Sequence, residues 1–352
     1  MRVLMLVNWK IQYSEEVPAD RQPPDYCAKG QPYWFFRYFH EQPQVDVVDI
    51  SSFAWLENFE KNKLRFYIWQ TLRVLPKLHR YDLIVSHGAQ SGVVLSLIRR
   101  IFKTKAKHIL IDIGSFNSAA ETGFALKLMQ FSSKSIDGLI YHTGKQREYY
   151  ARFFPWLVGK SRFIRFGTDM AFFDPALLEK SDDHGTYMIC VGASKRDWDT
   201  LVQAYQMLDT KMKLRIVGCV QERFCGITGV EQLGHIPIKE LISQIHNAAF
   251  AVLPLEQYCY SYGQMTLMQQ MALGKCVVAA RVNSLVDYVD GETAVLYEPK
   301  DAADLAKKLK NVLEDASFRA AVARKGQQYL RTCCNEVIMA GEMEAFFKEN
   351  AG

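Results

Sequence analysis

The sequence predicts an α/β fold made of two Rossmann-like halves. Three observations carry this. Short apolar runs alternate with amphipathic helical stretches along most of the 352 residues, the pattern of a parallel, doubly wound sheet. The alternation stops near residue 169 and restarts near residue 187. The length suits two domains of ordinary size, and 49% hydrophobic with 12% aromatic residues is ample for two packed cores.

In the first half, Arg2–Asn8 reads as a strand. Gly30, Pro32 and Tyr33–Phe39 read as a loop feeding a helix. Val45–Ile50 is the next strand and Phe59–Leu78 a long helix. Tyr81–Ser86 (strand), Ser91–Phe102 (helix) and His108–Asp112 (strand) follow, then the strand Ile136–His142 and the helix Lys145–Phe154. Asp169–Gly185, polar toward its end, is expected to be the linker.

The second half opens with the strand Tyr187–Val191, the helix Trp198–Leu208 and the strand Lys213–Val217. A short strand Val230–Leu233 precedes His235-Ile236-Pro237, and a helix spans Ile238–Asn247. The segment from Leu253 to Val289 is the most informative in the chain. A buried strand from Phe250 ends at Leu253-Pro254, and Ser261-Tyr262-Gly263-Gln264 forms a loop. Leu267, Met268 and Met271 repeat at helical spacing until Gly274, and Val277–Ala280 is a short β-branched run suited to a buried parallel strand. A loop at a strand's carboxyl end that opens a helix is where such sheets bind anions. The amides around Gly263 and the Thr266 hydroxyl are candidates. Ala302–Glu314, Ser317–Arg331 and Val337–Lys348 are further helices.

Charge divides unevenly. Residues 1–168 carry 24 Lys and Arg against 14 Asp and Glu, whereas the rest carries 19 against 24. Much of the excess lies in Lys61–Arg80 and Arg99–Lys107, where cations mix with aromatic and large aliphatic residues. That mixture suits a surface on anionic lipid or a grip on a lipid-linked acceptor. A solvated helix with an inward apolar stripe is the plainer reading. No nucleic-acid motif accompanies the charge. The eight cysteines show no metal-ligand or C-x-x-C spacing and read as free thiols of a reducing compartment. No signal peptide is visible, and no apolar run approaches the roughly 20 residues needed to span a bilayer. A cytoplasmic protein, peripheral at the inner face of the membrane, is the expectation.

The stretch Gln269-Gln270-Met271-Ala272-Leu273-Gly274-Lys275-Cys276-Val277-Val278 resembles the donor-site segment of retaining GT-B glycosyltransferases of family 4, usually a Glu, seven residues, a second Glu, then Ala-Met-Ala-x-Gly-x-Pro-Val-Val. The first Glu falls on Ser261, the second is Gln269, and the Pro is Cys276, so both acidic positions are replaced. Four other stretches are similar to family segments in the right order, the first being Ser135–Ile140 with Lys145–Tyr149, which looks like the strand and helix that end the first domain's sheet. Phe163–Phe173 matches the interdomain crossing, Gly192–Leu201 a shortened G-R-L-x-x-K-G-x-D-T-L, and Gly291–Tyr297 the pattern D-G-x-x-G-x-L.

The resemblance implies a GT-B architecture, two Rossmann-like domains facing across a cleft. Residues 1–170 would hold the acceptor, with the helix of residues 335–352 crossing back to them. Residues 185–334 would hold a nucleotide-diphosphate sugar, most simply a UDP sugar. It also implies a metal-independent transfer with no cofactor. The leaving diphosphate would be stabilised by Arg196, where the family places a Lys, with Lys195 beside it. Donor contacts fall on Gly192, His235, Ile236, Tyr262, Gly263, Gln264, Met265 and Thr266, with Gln269 at the ribose. Asp112 and His87, both ending strands, are candidates beside the reacting sugar, and Gly30 for the acceptor's approach. The expected partners are a nucleotide-sugar donor, a glycan or lipid-linked acceptor and an anionic membrane. A silent nucleotide-sugar-binding protein is the alternative, suggested by the two missing acids. A nicotinamide oxidoreductase would need a G-x-G-x-x-G after a strand, and the chain has none there.

Overall fold

The computed structural model describes residues 1–102, 104–114, 116 and 121–351. Lys103, within the basic stretch noted above, and Gly352 lie outside them. The chain forms two compact units. The first comprises Met1–Arg165, Cys259–Tyr262 and Val337–Gly352; the second comprises Phe166–Tyr258 and Gly263–Glu336.

The first unit contains strands β1 (Arg2–Leu6), β2 (Gln12–Ser14), β3 (Tyr26–Ala28), β4 (Gln44–Val48), β5 (Leu83–His87), β6 (Lys107–Asp112), β7 (Gly138–Tyr141) and β8 (Ser161–Phe163). Six of them form one parallel sheet in the order β4-β1-β5-β6-β7-β8, while β2 and β3 pair separately. The central strands are buried on both faces, which is why they read as continuous apolar runs rather than alternating ones. Helices α1 (Ala54–Phe59), α2 (Ile68–Val74), α3 (Ala89–Ile101), α4 (Gly123–Ser133), α5 (Lys145–Phe153) and the single turn α6 (Pro155–Val158) complete the crossovers.

The long helix expected over Phe59–Leu78 is broken. A π turn spans Glu60–Leu64, Arg65 adopts a left-handed conformation with φ of 60°, and α2 begins only at Ile68. The break has a local cause. The Glu60 carboxylate is buried and accepts the Trp69 amide at 2.8 Å, so the chain folds back over it instead of propagating the helix. Pro76 then admits only a 3-10 segment, Leu75–Arg80. The helix expected over Tyr33–Phe39 is likewise a 3-10 turn, Trp34–Tyr38.

The second unit holds β9 (Tyr187–Val191), β10 (Lys213–Val217), β11 (Val230–Leu233), β12 (Phe250–Leu253), β13 (Val277–Ala280) and β14 (Val295–Tyr297), parallel in the order β11-β10-β9-β12-β13-β14. Its helices are α7 (Trp198–Gln206), α8 (Ile238–Asn247), α9 (Gln264–Ala272), α10 (Ala302–Glu314) and α11 (Ala316–Cys333). The last helix, α12 (Glu336–Ala351), belongs to the first unit from Val337 onward. There Phe347 is fully buried among Phe35, Phe36 and Phe39, with ring centroids 5.8–6.4 Å away.

The stretch expected as a linker packs on the second unit. Phe173 is buried, the Ser181 amide donates to the Asn247 side chain at 2.9 Å, and the Gly185 amide to the Asn247 carbonyl at 2.8 Å. All eight cysteines are free thiols.

Candidate functional site

In the second sheet the chain leaves β9 in one direction for β10 and β11, then returns to the other side for β12. The carboxyl ends of β9 and β12 therefore flank the topological switch point, where open α/β sheets bind ligands. Two loops meet there. The loop after β9 runs from Gly192 to Asp197, and the loop after β12 leads from Pro254 to Gly263. They are laced together by a bridge between Arg196 and Leu255, by the Asp197 amide donating to the Pro254 carbonyl (2.8 Å), and by the Glu256 amide donating to the Lys195 carbonyl (3.3 Å).

Arg196 is the centre of this arrangement. Its side chain is buried and folds back over the end of β9. Nε and Nη2 donate to the Val191 carbonyl at 3.1 and 2.9 Å, Nη1 to the Ser194 carbonyl at 3.1 Å, and Nη2 also to Oγ1 of Thr266 at 3.2 Å. Gly192 permits this. Its φ is +128°, and a Cβ there would collide with the guanidinium. The two acids that follow Arg196 closely in the sequence are engaged elsewhere. Asp199 pairs with Arg223 at 2.6 Å, and Asp197 caps α7 by accepting the Thr200 amide and hydroxyl. Lys195 stands beside it with φ of 58°, its ammonium 5.5 Å from the Tyr258 ring centroid, and burial lowers its pKa.

Thr266 lies in the first turn of α9. Gly263 is the residue before that helix and is left-handed, with φ of 79°, so no side chain caps the turn. The first amides of a helix lack intrahelical acceptors and carry the positive end of its dipole. Gln264 turns its side chain inward to the Ser284 carbonyl at 2.9 Å, Met265 points outward half-exposed, and Gln269 is buried one turn on. The guanidinium, the Lys195 ammonium and an uncapped helix N-terminus thus share one strand end. His235, exposed, and Ile236, half-buried, follow β11, two strand spacings or about 10 Å from β9. Tyr262 groups with the first unit and packs edge-on against Tyr260, with centroids 5.6 Å apart.

The first sheet has its own switch point, between β1 and β5, with different chemistry. His87 ends β5 under two indole rings, those of Trp9 and Trp34, at centroid distances of 4.8 and 5.5 Å. Its ring nitrogens are buried without a hydrogen-bond partner among the described residues. Burial, and then the neighbouring His142, push its pKa down to about 3, so the imidazole is uncharged at neutral pH. Trp34 holds a φ of 46°, an uncommon conformation for a bulky residue. Asp112 ends β6 fully buried and works inside its own unit. It accepts the Tyr150 hydroxyl at 2.6 Å and the Gly114 amide at 3.0 Å, and Gln146 approaches at 3.4 Å. Gly30 is exposed in a left-handed turn with open space around it.

Three residues of this edge escaped the sequence reading: Trp9, Trp34 and His142. His142 follows β7, its Nδ1 donates to the Ile164 carbonyl at 2.7 Å, and burial lowers its pKa to about 4. The available signal was its place one residue past an apolar strand. Among the described residues no group of three His, Cys, Asp or Glu side chains is placed to hold a metal ion. No helix among them is long and apolar enough to cross a membrane.

Two parallel sheets of this kind are the parts of a GT-B fold, and comparison with solved structures agrees. HepE from Anabaena, in complex with UDP, superposes with a TM-score of 0.71 over 99% of this chain and all of its own, at 14% identity. The sucrose-phosphate synthase of Thermosynechococcus elongatus superposes with a TM-score of 0.70, covering 99% of both chains at 16% identity. Residues 185–315, which contain Arg196 and the whole of α9, match the family model described as Glycosyl transferases group 1. The second unit therefore carries a segment that matches that family, and the chain as a whole shares the fold of these solved structures. Curated relatives include the glycogen synthase of Mycobacterium tuberculosis, 31% identical over 99 residues. That match spans 28% of this chain and 23% of the relative's length.

Proposed function

We propose that the protein transfers a sugar, with retained configuration, from a nucleotide-diphosphate sugar bound by the second unit to a glycan or lipid-linked acceptor bound by the first. The observation that carries this is the Arg196 guanidinium hydrogen-bonded to Thr266 in the uncapped first turn of α9. Charge grows on the diphosphate as the glycosidic bond breaks. A fixed cation beside helix-end amides stabilises that charge with no reorganisation at the moment of reaction. Lys195 adds a second cation, and a diphosphate needs about two. UDP is the favoured nucleotide because the HepE complex, similar over the whole chain, contains it. In this reading Gly192, Gly263, Gln264, Met265 and Thr266 border the diphosphate and the transferred ring, Gln269 meets the ribose, and His235 and Ile236 lie toward the base.

The neutral His87, with Trp9 and Trp34, suits a sugar acceptor, which offers hydroxyls to an imidazole and C–H faces to indoles. Asp112 holds the Tyr150 side and the following turn in place. Synthesis of a surface polysaccharide or glycoconjugate, and a peripheral contact with an anionic membrane, belong to the same reading. The test is incubation with UDP, GDP and ADP sugars, following nucleotide release and the anomeric configuration of the product by NMR. Release of UDP with an unchanged anomer is expected. An inverted anomer would overturn the retaining assignment. Nucleotide binding without turnover across a broad acceptor panel would favour the silent binding protein that the replacements at Ser261 and Gln269 allow.

A further inference from the structure

Large exposed apolar side chains are concentrated in one layer of the first unit. Every exposed Phe and Trp among the described residues lies between positions 53 and 131: Phe53, Trp55, Phe59, Phe102, Phe124 and Phe131. Trp55 is 72% exposed and Phe124 80%. α1 buries none of its residues. Ile68, Leu72 and Ile101 add exposed aliphatic surface to the same helices. These helices form one layer, because β4, β5, β6 and β7 are reached in succession across the sheet in a single direction and right-handed crossovers then fall on one face. Single exposed apolar residues need no explanation, but a run of aromatic ones does.

The same layer is cationic. Lys61, Lys63, Arg65, Arg73, Lys77 and Arg80 lie exposed between α1 and β5, where the acids are few: Glu57 pairs with Lys10, and Glu60 is buried. Arg100 sits over the exposed Phe131 ring at 5.5 Å. Between the α2 segment and the end of α3 runs a largely apolar groove of about 650 Å³, lined by Leu72, Leu75, Leu78, Ile98 and Phe102, with Lys105 among its walls.

We propose that this layer, α1 to α4, docks on an anionic lipid bilayer, with Trp55, Phe59, Phe102 and Phe124 entering the interface and an acyl chain seated in the Leu72–Phe102 groove. Charge complementarity selects this occupant. Aromatic side chains settle at the depth of the headgroups, and exposed Lys and Arg gain attraction from an anionic leaflet. A soluble acidic partner would use the cations but leave six exposed aromatic rings without purpose. The idea rests on the proposed sugar transfer only for its purpose, which is to bring a lipid-linked acceptor to the enzyme. It is measured without donor or acceptor, so either can fail alone.

The experiment is flotation of the full chain with vesicles of phosphatidylcholine alone and of phosphatidylcholine containing phosphatidylglycerol. Binding to the anionic vesicles only, weakened by salt, is expected. Trp55→Ser with Phe102→Ser, and separately Lys77→Glu with Arg80→Glu, should each lower partitioning about tenfold or more. These positions are exposed, and an unchanged melting temperature shows that the variants remain folded. Equal binding to neutral vesicles, no binding to either, or binding untouched by both double variants would overturn the proposal. So would a concentration-dependent dimer in sedimentation that Trp55→Ser abolishes, because the face would then belong to a second copy.

Discussion

At the carboxyl edge of the first sheet stand indole rings, an uncharged histidine and a carboxylate spent on its own unit. At the same edge of the second stand a buried guanidinium, a second cation and the bare amides of a helix end. Their outer surfaces differ too. The first unit exposes Phe and Trp among cations, whereas the second exposes scattered aliphatic residues such as Leu177, Met207 and Val220. Two sheets of one type carry different chemistry at their strand ends. In the proposed reading one edge binds an anion, and the other something neutral with polar and apolar faces. The +10 and −5 charge of residues 1–168 and 169–352 is therefore the charge of outer surfaces. It runs opposite to the chemistry of the two strand-end edges.

The units differ first in how they are closed. Only the first depends on the chain's end, through Phe347. Phe347→Ala should lower its stability by about 3–5 kcal/mol, the usual cost of emptying a fully buried aromatic site, in denaturant unfolding followed by tryptophan fluorescence. A loss below about 1 kcal/mol would mean that the first unit closes without α12. Glu344 supports the same docking. Burial pushes its pKa up, but the His40 amide and ring, the Glu41 amide and Lys348 outweigh this and hold it down to about 2.

Arg196→Ala should lower kcat/KM by about a hundredfold to a thousandfold, the range for removing one preorganised donor from a developing anion. Gly192→Ala should do much of the same damage without touching the guanidinium's chemistry, because the new methyl displaces it. The double variant should be little worse than Arg196→Ala alone, since both act through one contact. Additive losses would separate Gly192 from Arg196 and break this account of the strand end.

The smallest effect distinguishes the neutral edge. His87 and His142 have folded pKa values of about 3 and about 4, below the ordinary 6.5. Between about pH 6.5 and 4 the unfolded chain binds protons that the folded chain refuses. Stability is therefore intact above 6.5 and is lost as the pH falls, by up to about 1.4 kcal/mol per pH unit for each histidine. Melting curves across that range should show the slope, and His87→Leu should remove part of it. A slope unaltered by His87→Leu would mean that this ring is hydrated and titrates normally.

Much of the second unit was legible in the sequence because its signals are local. The apolar runs at Tyr187, Lys213, Phe250 and Val277 could only be buried strands, and Gly263 before a periodic run could only start a helix. The first unit was harder to read. A periodic, basic stretch over Phe59–Leu78 promises one helix, yet a buried Glu60 and a left-handed Arg65 divide it, and neither leaves a mark in periodicity. α4 and β8 went unread because Gly123–Ser133 and Ser161–Phe163 have weak patterns and take their structure from the layers they pack on. At the site, Thr266 was readable from a strand-end loop that opens a helix, whereas Arg196 and Lys195 came from the resemblance to a family segment. Trp9, Trp34 and His142 were not readable, because only the fold brings the ends of two separate strands and a 3-10 turn to one edge.

The most direct measurement of the central claim is titration calorimetry of the full chain with UDP, for the native sequence and for Arg196→Ala. The account predicts a saturable exothermic binding that the substitution weakens by at least about tenfold, in keeping with the loss of a charge-assisted contact. Identical binding by both chains, or no heat from UDP, GDP or ADP with the native one, would contradict it.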